Sequence, residues 1–259
     1  MITSTQNAKV KWVRSLMNNR RFRRESRAFV VEGVRMAEEA LQSGWEVMLV
    51  FYTQDLGERG QQAVQRYAAK GVHVAEVSPQ IMRVISETQT PQGIVVVLSM
   101  VELKPRDNLD FILISDGIRD PGNLGTILRT ASSAGVDGVI LTPTNVDLYA
   151  PKVIRSAMGA HFRLPVLSLN WQEINRTIRE NNMRVYLAAA EKGVIYYQTN
   201  FTCPLAIIIG GEAAGHSQEA QSLVDEWVNI PMPGGGESLN AAIAAALLLY
   251  EVIRQRSLA

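Results

Sequence analysis

The sequence contains few of the residues that support disulfide, metal or membrane chemistry. Cys203 is the single cysteine among 259 residues, so no disulfide can form within the chain. The three histidines lie far apart and lack metal-ligand spacing: His73, His161 and His216. No apolar run reaches the roughly 20 residues of a membrane span, and the start of the chain has no secretory signal. We therefore expect no metal site, no membrane partner and a reducing, cytoplasmic location.

The residues that are present are typical of a soluble globular protein. Hydrophobic residues make up 47% of the chain and charged residues 20%. A length of 259 residues suits one large domain or two ordinary ones. The apolar stretch around Cys203, FTCPLAIIIG, favours a packing role for this thiol over a nucleophilic one.

Positive charge is concentrated at the start of the chain. Residues 1–27 carry eight Lys and Arg against Glu25 alone, a net charge of +7, whereas the whole chain carries only +1. Such segregation predicts a polyanionic partner, although a solvated helix face is the simpler alternative. Trp12 and Phe22 lie among these cations, and aromatic side chains suit stacking on unpaired bases. We therefore expect RNA binding by this arm, through cations that include Lys9, Lys11, Arg20, Arg21, Arg23 and Arg24.

The order of the predicted elements divides the chain into two α/β halves. Residues 1–100 alternate strand-like runs such as AFVVEG and GIVVVLSM with helical segments, which predicts a small α/β domain behind the basic arm. The polar stretch ELKPRDNLD indicates a linker at 101–110. Residues 111–259 alternate again and begin with the fully apolar run FILIS, which predicts a parallel sheet covered on both faces.

The first of three unusual loops in the second half follows the strand FILISDG. Asn123 is predicted to cap the next helix, and Arg129 lies six residues further on. Apolar residues precede Arg129 and small ones follow it, so we expect its side chain to be partly buried against charge or a polar cavity. Arg119 and Asp120 add polar groups to this loop. Ligands of parallel sheets gather beyond the carboxyl ends of the strands, where this loop belongs.

The second and third loops are rich in glycine. In AIIIGGEAAGHS, Gly210 and Gly211 allow backbone to approach a ligand, and Glu212 is a candidate binding residue or an exposed turn residue. In IPMPGGGESLN, Ser238 is predicted as a helix cap and Asn240 as a first-turn residue. Neither loop has the spacing of a dinucleotide fold, a Walker loop or a nucleophile elbow. The residues alone thus predict a glycine-lined polar pocket and an RNA-binding arm.

These three loops resemble the SpoU (TrmH-type) family of RNA 2′-O-ribose methyltransferases, part of the SPOUT superfamily. The segments that carry the resemblance are DPGNLGTILRTASSAGVDGVIL, GGEAAGHS and NIPMPGGGESLNAAIAAALLLYE, in that order. Less specifically, FVVEG and TPQGIVVVL make residues 1–100 similar to an accessory domain related to RNA-binding ribosomal proteins. The resemblance implies a deep trefoil knot in residues 111–259, although the strand pattern gives no sign of one and the general rule excludes knots.

The resemblance also implies the cofactor, the partners and the site residues. S-adenosylmethionine is the expected cofactor, RNA the substrate, and a homodimer through the knotted domain the expected assembly. The implied catalytic set is Asn123, Arg129, Glu212, Ser238 and Asn240, and the implied cofactor-binding set is Gly210, Gly211, Ile230, Met232 and Leu239. Arg129 would either accept the proton of the ribose hydroxyl or stabilise the developing charge.

The expected reaction is methyl transfer to a ribose 2′-hydroxyl of 23S rRNA. The alternatives are a tRNA ribose methyltransferase, a non-catalytic RNA-binding or ribosome-assembly protein with the same fold, and a nucleotide-dependent α/β enzyme of another class. An accessory domain and a basic arm add a second RNA-binding surface. This favours a substrate site in a structured region of a large RNA.

Overall fold

The computed structural model describes residues 1–211 and 215–258 and separates the chain into two compact units. One unit comprises Met1–Val101 and Asp147–Phe162, and the other comprises Glu102–Val146 and Arg163–Ala259. The segment Asp147–Phe162 differs from the sequence-based division, which assigns it to the second half. It packs within the first unit, where the ring of Tyr149 contacts that of Phe29 at 4.8 Å.

The first unit is a four-stranded mixed sheet with helices packed on it. Its strands, in the order β1-β4-β2-β3, pair antiparallel except for β2 and β3, which are parallel. The elements are α1 (Ala8–Asn18), α2 (Arg20–Ser26), β1 (Ala28–Glu32), α3 (Val34–Ser43), β2 (Val47–Tyr52), α4 (Glu58–Ala69), β3 (Val74–Glu76), α5 (Pro79–Ile85) and β4 (Ile94–Ser99). The inserted segment adds the helix Pro151–Ala157 and the 3-10 turn Ala160–Phe162.

The basic arm forms α1 and α2, and one of its arginines has a structural role. Arg23 is only 4% exposed, and its guanidinium donates to Asp147 at 2.6 and 2.9 Å and to the carbonyl oxygen of Leu16 at 2.6 Å. The expectation that Arg23 contacts RNA is therefore corrected, because its donors are engaged inside the protein. Trp12 and Phe22 are half-buried against the core of this unit, and their stacking on bases stays a prediction.

Loss of the Arg23 side chain should destabilise the fold. Arg23→Ala leaves the Asp147 carboxylate, itself only 11% exposed, with only the longer ion pair to Arg20 at 3.9 Å. Breaking a buried ion pair costs about 3–5 kcal/mol of unfolding free energy. Urea denaturation measures this loss. Arg21→Ala on the same helix is the matched control, because the Arg21–Glu25 pair is exposed and should contribute less than about 0.5 kcal/mol. Equal losses in both variants would contradict the structural role of Arg23.

His161 makes the stability of the fold sensitive to acid. The ring is buried, Nε2 lies 2.9 Å from the carbonyl oxygen of Leu148, and Nδ1 has no hydrogen-bond partner. Burial lowers the pKa of His161 from 6.5 to about 4. The unfolded chain therefore binds the proton more readily, and stability falls as pH drops from about 6.5 to 4, by roughly 3 kcal/mol. His161→Gln keeps a donor for Leu148, and denaturation curves across this range should show a smaller loss. An unchanged pH dependence would contradict the assignment.

The second unit is built on a seven-stranded sheet in which every pair is parallel. The strand order is β7-β6-β5-β10-β8-β11-β9. The strands are β5 (Phe111–Asp116), β6 (Gly138–Leu141), β7 (Val166–Ser168), β8 (Arg184–Ala189), β9 (Val194–Ile195), β10 (Leu205–Gly210) and β11 (Glu226–Asn229). The helices of this unit are α6 (Pro121–Ser133), α8 (Trp171–Glu180), α9 (Gln218–Leu223) and α10 (Ala241–Arg256), with a 3-10 turn at Tyr196–Gln198. The label α7 belongs to Pro151–Ala157 of the first unit.

The central strands have the burial that their sequences predict. All six residues of β5 are buried, as expected for a strand covered on both faces. The α/β architecture and the parallel sheet of the second half are thus confirmed, and the trefoil knot stays a prediction. Throughout residues 1–211 and 215–258, every helix is too short or too polar to cross a lipid bilayer.

Candidate functional site: a cavity at the carboxyl ends of the central strands

The two central strands end side by side. In the parallel pairing of β5 and β10, Asp116 lies opposite Gly210. From β5 the sheet continues to β6 and β7 on one side, and beyond β10 it continues to β8 on the other. Such a change of direction opens a crevice outside the carboxyl ends of the strands, which is where ligands bind in parallel α/β sheets.

A cavity of about 200 Å³ lies among the loops of the second unit. The structure places Gly210, Gly211, Ile230, Met232 and Leu239, all predicted from the sequence, around it together with Ser238. The sequence analysis missed the remaining lining residues, which are Ala188, Ala189, Ala190, Ile209, Gly215, His216, Ala241 and Ala244. Alanines carry no chemical signal in a sequence, and only their position at the end of β8 and at the start of α10 could have indicated them.

Two glycines form a wall of this cavity because side chains would not fit. A Cβ atom on Gly211 would lie 2.5 Å from the carbonyl oxygen of Gly117, and one on Gly210 would lie 2.4 Å from Nδ1 of His216. The loops that follow β5 and β10 therefore approach each other closely at these glycines, and the approach of their backbone to a ligand stays a prediction.

His216 is the titratable side chain among the lining residues. Burial is the main cause of a lowered pKa, opposed by a hydrogen bond to the backbone of Ala188 and by the carboxylate of Asp116. The ring lies edge-on to Trp227 at 6.0 Å between centroids, and its Nδ1 is buried without a hydrogen-bond partner. The imidazole is therefore neutral at physiological pH and adds no positive charge to the cavity wall.

Asp116, which the sequence analysis also missed, holds the loop after β10 in place. Its carbonyl oxygen accepts a hydrogen bond from the amide of Gly211 at 2.9 Å. Its buried carboxylate accepts from the amide of Ser217 at 2.8 Å. One residue thus fixes both ends of the segment from Gly211 to Ser217.

The predicted polar residues Asn123 and Asn240 meet beside the cavity. The amide Nδ2 of Asn240 donates to Oδ1 of Asn123 at 2.9 Å. The sequence predicted Asn123 as the cap of α6 and Asn240 as a residue in the first turn of α10, and both predictions are wrong. Asp120 is the N-cap of α6 and accepts from the amide of Asn123, whereas Asn240 itself is the N-cap of α10 and accepts from Ala242 and Ile243.

Two further predictions are corrected by the structure. Ser238 is exposed and precedes the helix, so it is not the cap. Arg129 is exposed, whereas partial burial was expected, because α6 turns its apolar residues Ile127 and Leu128 to the core. Glu212 lies outside the described residues.

Two protein-family models match this chain, one in each half of the sequence. Residues 110–250 match the SpoU rRNA Methylase family, and residues 7–96 match the MRM3-like substrate binding domain. The chain is 32% identical to a 23S rRNA (guanosine(2553)-2′-O)-methyltransferase, RlmP, of Bacillus subtilis, over 97% of this chain and 98% of that protein. It is also 32% identical to a 23S rRNA (uridine(2479)-2′-O)-methyltransferase of Streptomyces viridochromogenes, over 98% and 92%.

A solved structure of an rRNA methyltransferase has the same fold as this chain. The crystal structure of an AdoMet-bound rRNA methyltransferase from Sinorhizobium meliloti superposes with a TM-score of 0.86. The two chains are 29% identical, and the match covers 98% of this chain and 97% of the other. The chain belongs to the SpoU rRNA methylase family, and it is an RNA 2′-O-methyltransferase that uses S-adenosylmethionine.

Proposed function

We propose that the protein methylates a ribose 2′-hydroxyl of 23S rRNA and binds S-adenosylmethionine in the cavity beside Gly210 and Gly211. The observation that carries this proposal is the meeting of the predicted cofactor-binding residues around one cavity next to the Asn123–Asn240 contact. Both relatives named above act on 23S rRNA, which supports the same class of substrate for this chain.

The residues around the cavity fit the cofactor. The small side chains of Ala188, Ala189 and Ala244 leave room for a flat aromatic base, and Gly210 and Gly211 line the same cavity. The neutral ring of His216 and the nearby carboxylate of Asp116 suit a positively charged ligand. When bound, S-adenosylmethionine supplies an electrophilic methyl group.

The polar residues beside the cavity would orient the RNA. A ribose hydroxyl is a weak nucleophile, so its placement carries much of the rate. Asn240 and Asn123 hold each other in a fixed geometry, and Ser238 lies exposed at the cavity. The exposed guanidinium of Arg129 would bind a phosphate and stabilise the developing alkoxide, or accept the proton. In this proposal Glu212 is the fifth catalytic residue, with Asn123, Arg129, Ser238 and Asn240.

The exposed cations of the first unit would bind the rest of the RNA. Arg23 is excluded, which leaves Lys9 and Lys11 on α1 and Arg20, Arg21 and Arg24 on α2, all of them exposed. Cations on a rigid helical surface bind RNA phosphates without reading sequence. The proposal includes a cytoplasmic location, where bacterial ribosomes assemble.

The test is methyl transfer from radiolabelled S-adenosylmethionine to separate RNA pools. The proposal predicts label in 23S rRNA, and ribose-methylation mapping should show one site absent from cells that lack the protein. Label in tRNA alone would establish the tRNA alternative. Label in 16S rRNA alone would agree with an rRNA methyltransferase but would contradict 23S rRNA as its substrate.

We further propose a homodimer through an exposed apolar stripe on α10. Ile243, Leu247 and Tyr250 are 51%, 37% and 51% exposed and line a shallow groove together with Tyr196, whereas the opposite face of α10 is buried. Leu247→Glu should convert a dimer to a monomer in sedimentation velocity at micromolar concentration, because it places a charge in an apolar interface. Val84→Glu, at an equally exposed position of the first unit, is the control. A monomeric wild type would contradict the dimer.

A further inference from the structure

Arg119 is an exposed arginine that the proposed mechanism does not use. It lies in the loop between β5 and α6, four residues before Asn123. Across the part of the chain that the structure describes, no hydrogen bond or ion pair to its guanidinium is formed. Its side chain therefore has no evident role in holding the fold.

The backbone on both sides of Arg119 is held firmly. Ile118 is buried, its amide donates to Oδ1 of Asn145 at 3.0 Å, and its carbonyl oxygen accepts from Val146 at 2.9 Å. On the other side, Asp120 is the N-cap of α6. Asn145 is buried and donates to the carbonyl oxygens of Ser115 and Thr142, so it anchors the whole loop. A free guanidinium on a fixed backbone loses little further backbone entropy when it binds a ligand.

The two acidic residues nearest in sequence are already engaged by backbone amides. The carboxylate of Asp116 accepts from Ser217, and that of Asp120 accepts from Asn123. The positive charge of Arg119 is thus left for a ligand of opposite charge.

The position of Arg119 fits a ligand that also reaches the catalytic residues. Arg119 precedes α6, whereas Arg129 lies in its third turn, roughly 12 Å beyond the start of the helix at 1.5 Å per residue. Asn123 and its contact with Asn240 lie between them. Along the chain, the two exposed arginines therefore stand on either side of Asn123, next to which the target ribose is expected.

We infer that Arg119 binds a backbone phosphate of the substrate RNA adjacent to the nucleotide whose ribose is methylated. The inference rests on the proposed function of the site. The planar guanidinium matches two phosphate oxygens at once, which an ammonium group cannot do. Arg119 is in this sense a residue that positions the RNA and takes no part in the transfer itself.

The experiment compares Arg119→Gln and Arg119→Lys with the wild type in two assays. In the first, steady-state methyl transfer to a 23S rRNA fragment gives KM for RNA and kcat. In the second, filter binding of the same RNA is measured over a range of salt concentrations. Arg176→Gln on α8 is the matched control, because Arg176 is exposed on the same unit and away from the cavity. Calorimetry with S-adenosylmethionine reports the cofactor site separately.

Arg119→Gln should raise KM for RNA roughly 3- to 10-fold with kcat changed less than about twofold, and should lower the slope of log affinity against log salt by about one. Arg119→Lys should recover part of the affinity, and cofactor affinity should stay unchanged. An unchanged KM and salt slope would overturn the inference, as would an equal loss in Arg176→Gln or a loss of cofactor affinity. If the wild type fails to methylate 23S rRNA, the proposed substrate is wrong, and the same two assays on the RNA pool that accepts label decide the role of Arg119.

Discussion

Arg129→Ala is expected to lower methyl transfer to RNA about 10²- to 10³-fold while the affinity for S-adenosylmethionine stays within about twofold. The loss corresponds to about 3–4 kcal/mol, the cost of removing one group that stabilises charge in a transition state. The cofactor affinity should persist because Arg129 is exposed on α6 and is not among the residues that line the cavity. Single-turnover methyl transfer and calorimetry measure the two quantities.

Arg129→Lys tests whether the positive charge of this residue is sufficient for its role. A lysine retains the positive charge and should keep part of the activity if the group binds a phosphate or stabilises an alkoxide. Arg176→Ala, on an exposed face of α8, is the control and should behave as wild type. Normal turnover by Arg129→Ala would remove Arg129 from the mechanism.

Gly211→Ala is the second change with a large expected effect, and it acts on cofactor binding. The added Cβ would lie 2.5 Å from the carbonyl oxygen of Gly117, and this backbone atom cannot rotate away. The loops after β5 and β10 must separate, which strains the hydrogen bond from Gly211 to Asp116. Overpacking of this kind costs about 1–3 kcal/mol, so the affinity for S-adenosylmethionine should fall roughly 10- to 100-fold.

Calorimetric titration measures that affinity directly. Gly57→Ala is the matched control, because a Cβ at Gly57 meets no atom within 4 Å and no positive φ makes glycine necessary there. Thermal unfolding shows whether the variant remains folded. A Gly211→Ala protein with wild-type affinity would show that this wall of the cavity does not contact the cofactor.

The alternation of apolar strands and helices was sufficient to predict the α/β class and the parallel sheet, because such a sheet is buried on both faces and its strands are continuous apolar runs. Helix starts were less predictable. Asp120 followed by Pro121 is a strong start signal, since proline suits the first turn of a helix, yet Asn123 was taken as the cap. Ser238 and Asn240 rank almost equally as caps, so the sequence could not choose between them.

Contacts between distant parts of the chain could not be predicted from a single sequence. Arg23 and Asp147 are 124 residues apart, and only the folded chain shows that they form a buried pair. Within the basic arm, Arg23 has the same local composition around it as its exposed neighbours Arg21 and Arg24. Asp116 and the alanines of the cavity were missed for a related reason, because their role comes from position and backbone contacts and not from side-chain chemistry.

The most direct test of the account is a crystal structure of the protein soaked with S-adenosylmethionine. The account predicts the donor against the backbone of Gly210 and Gly211, with its methyl group facing the contact between Asn123 and Asn240. A donor bound at any other place on the chain, or no binding at concentrations that support turnover, would contradict it.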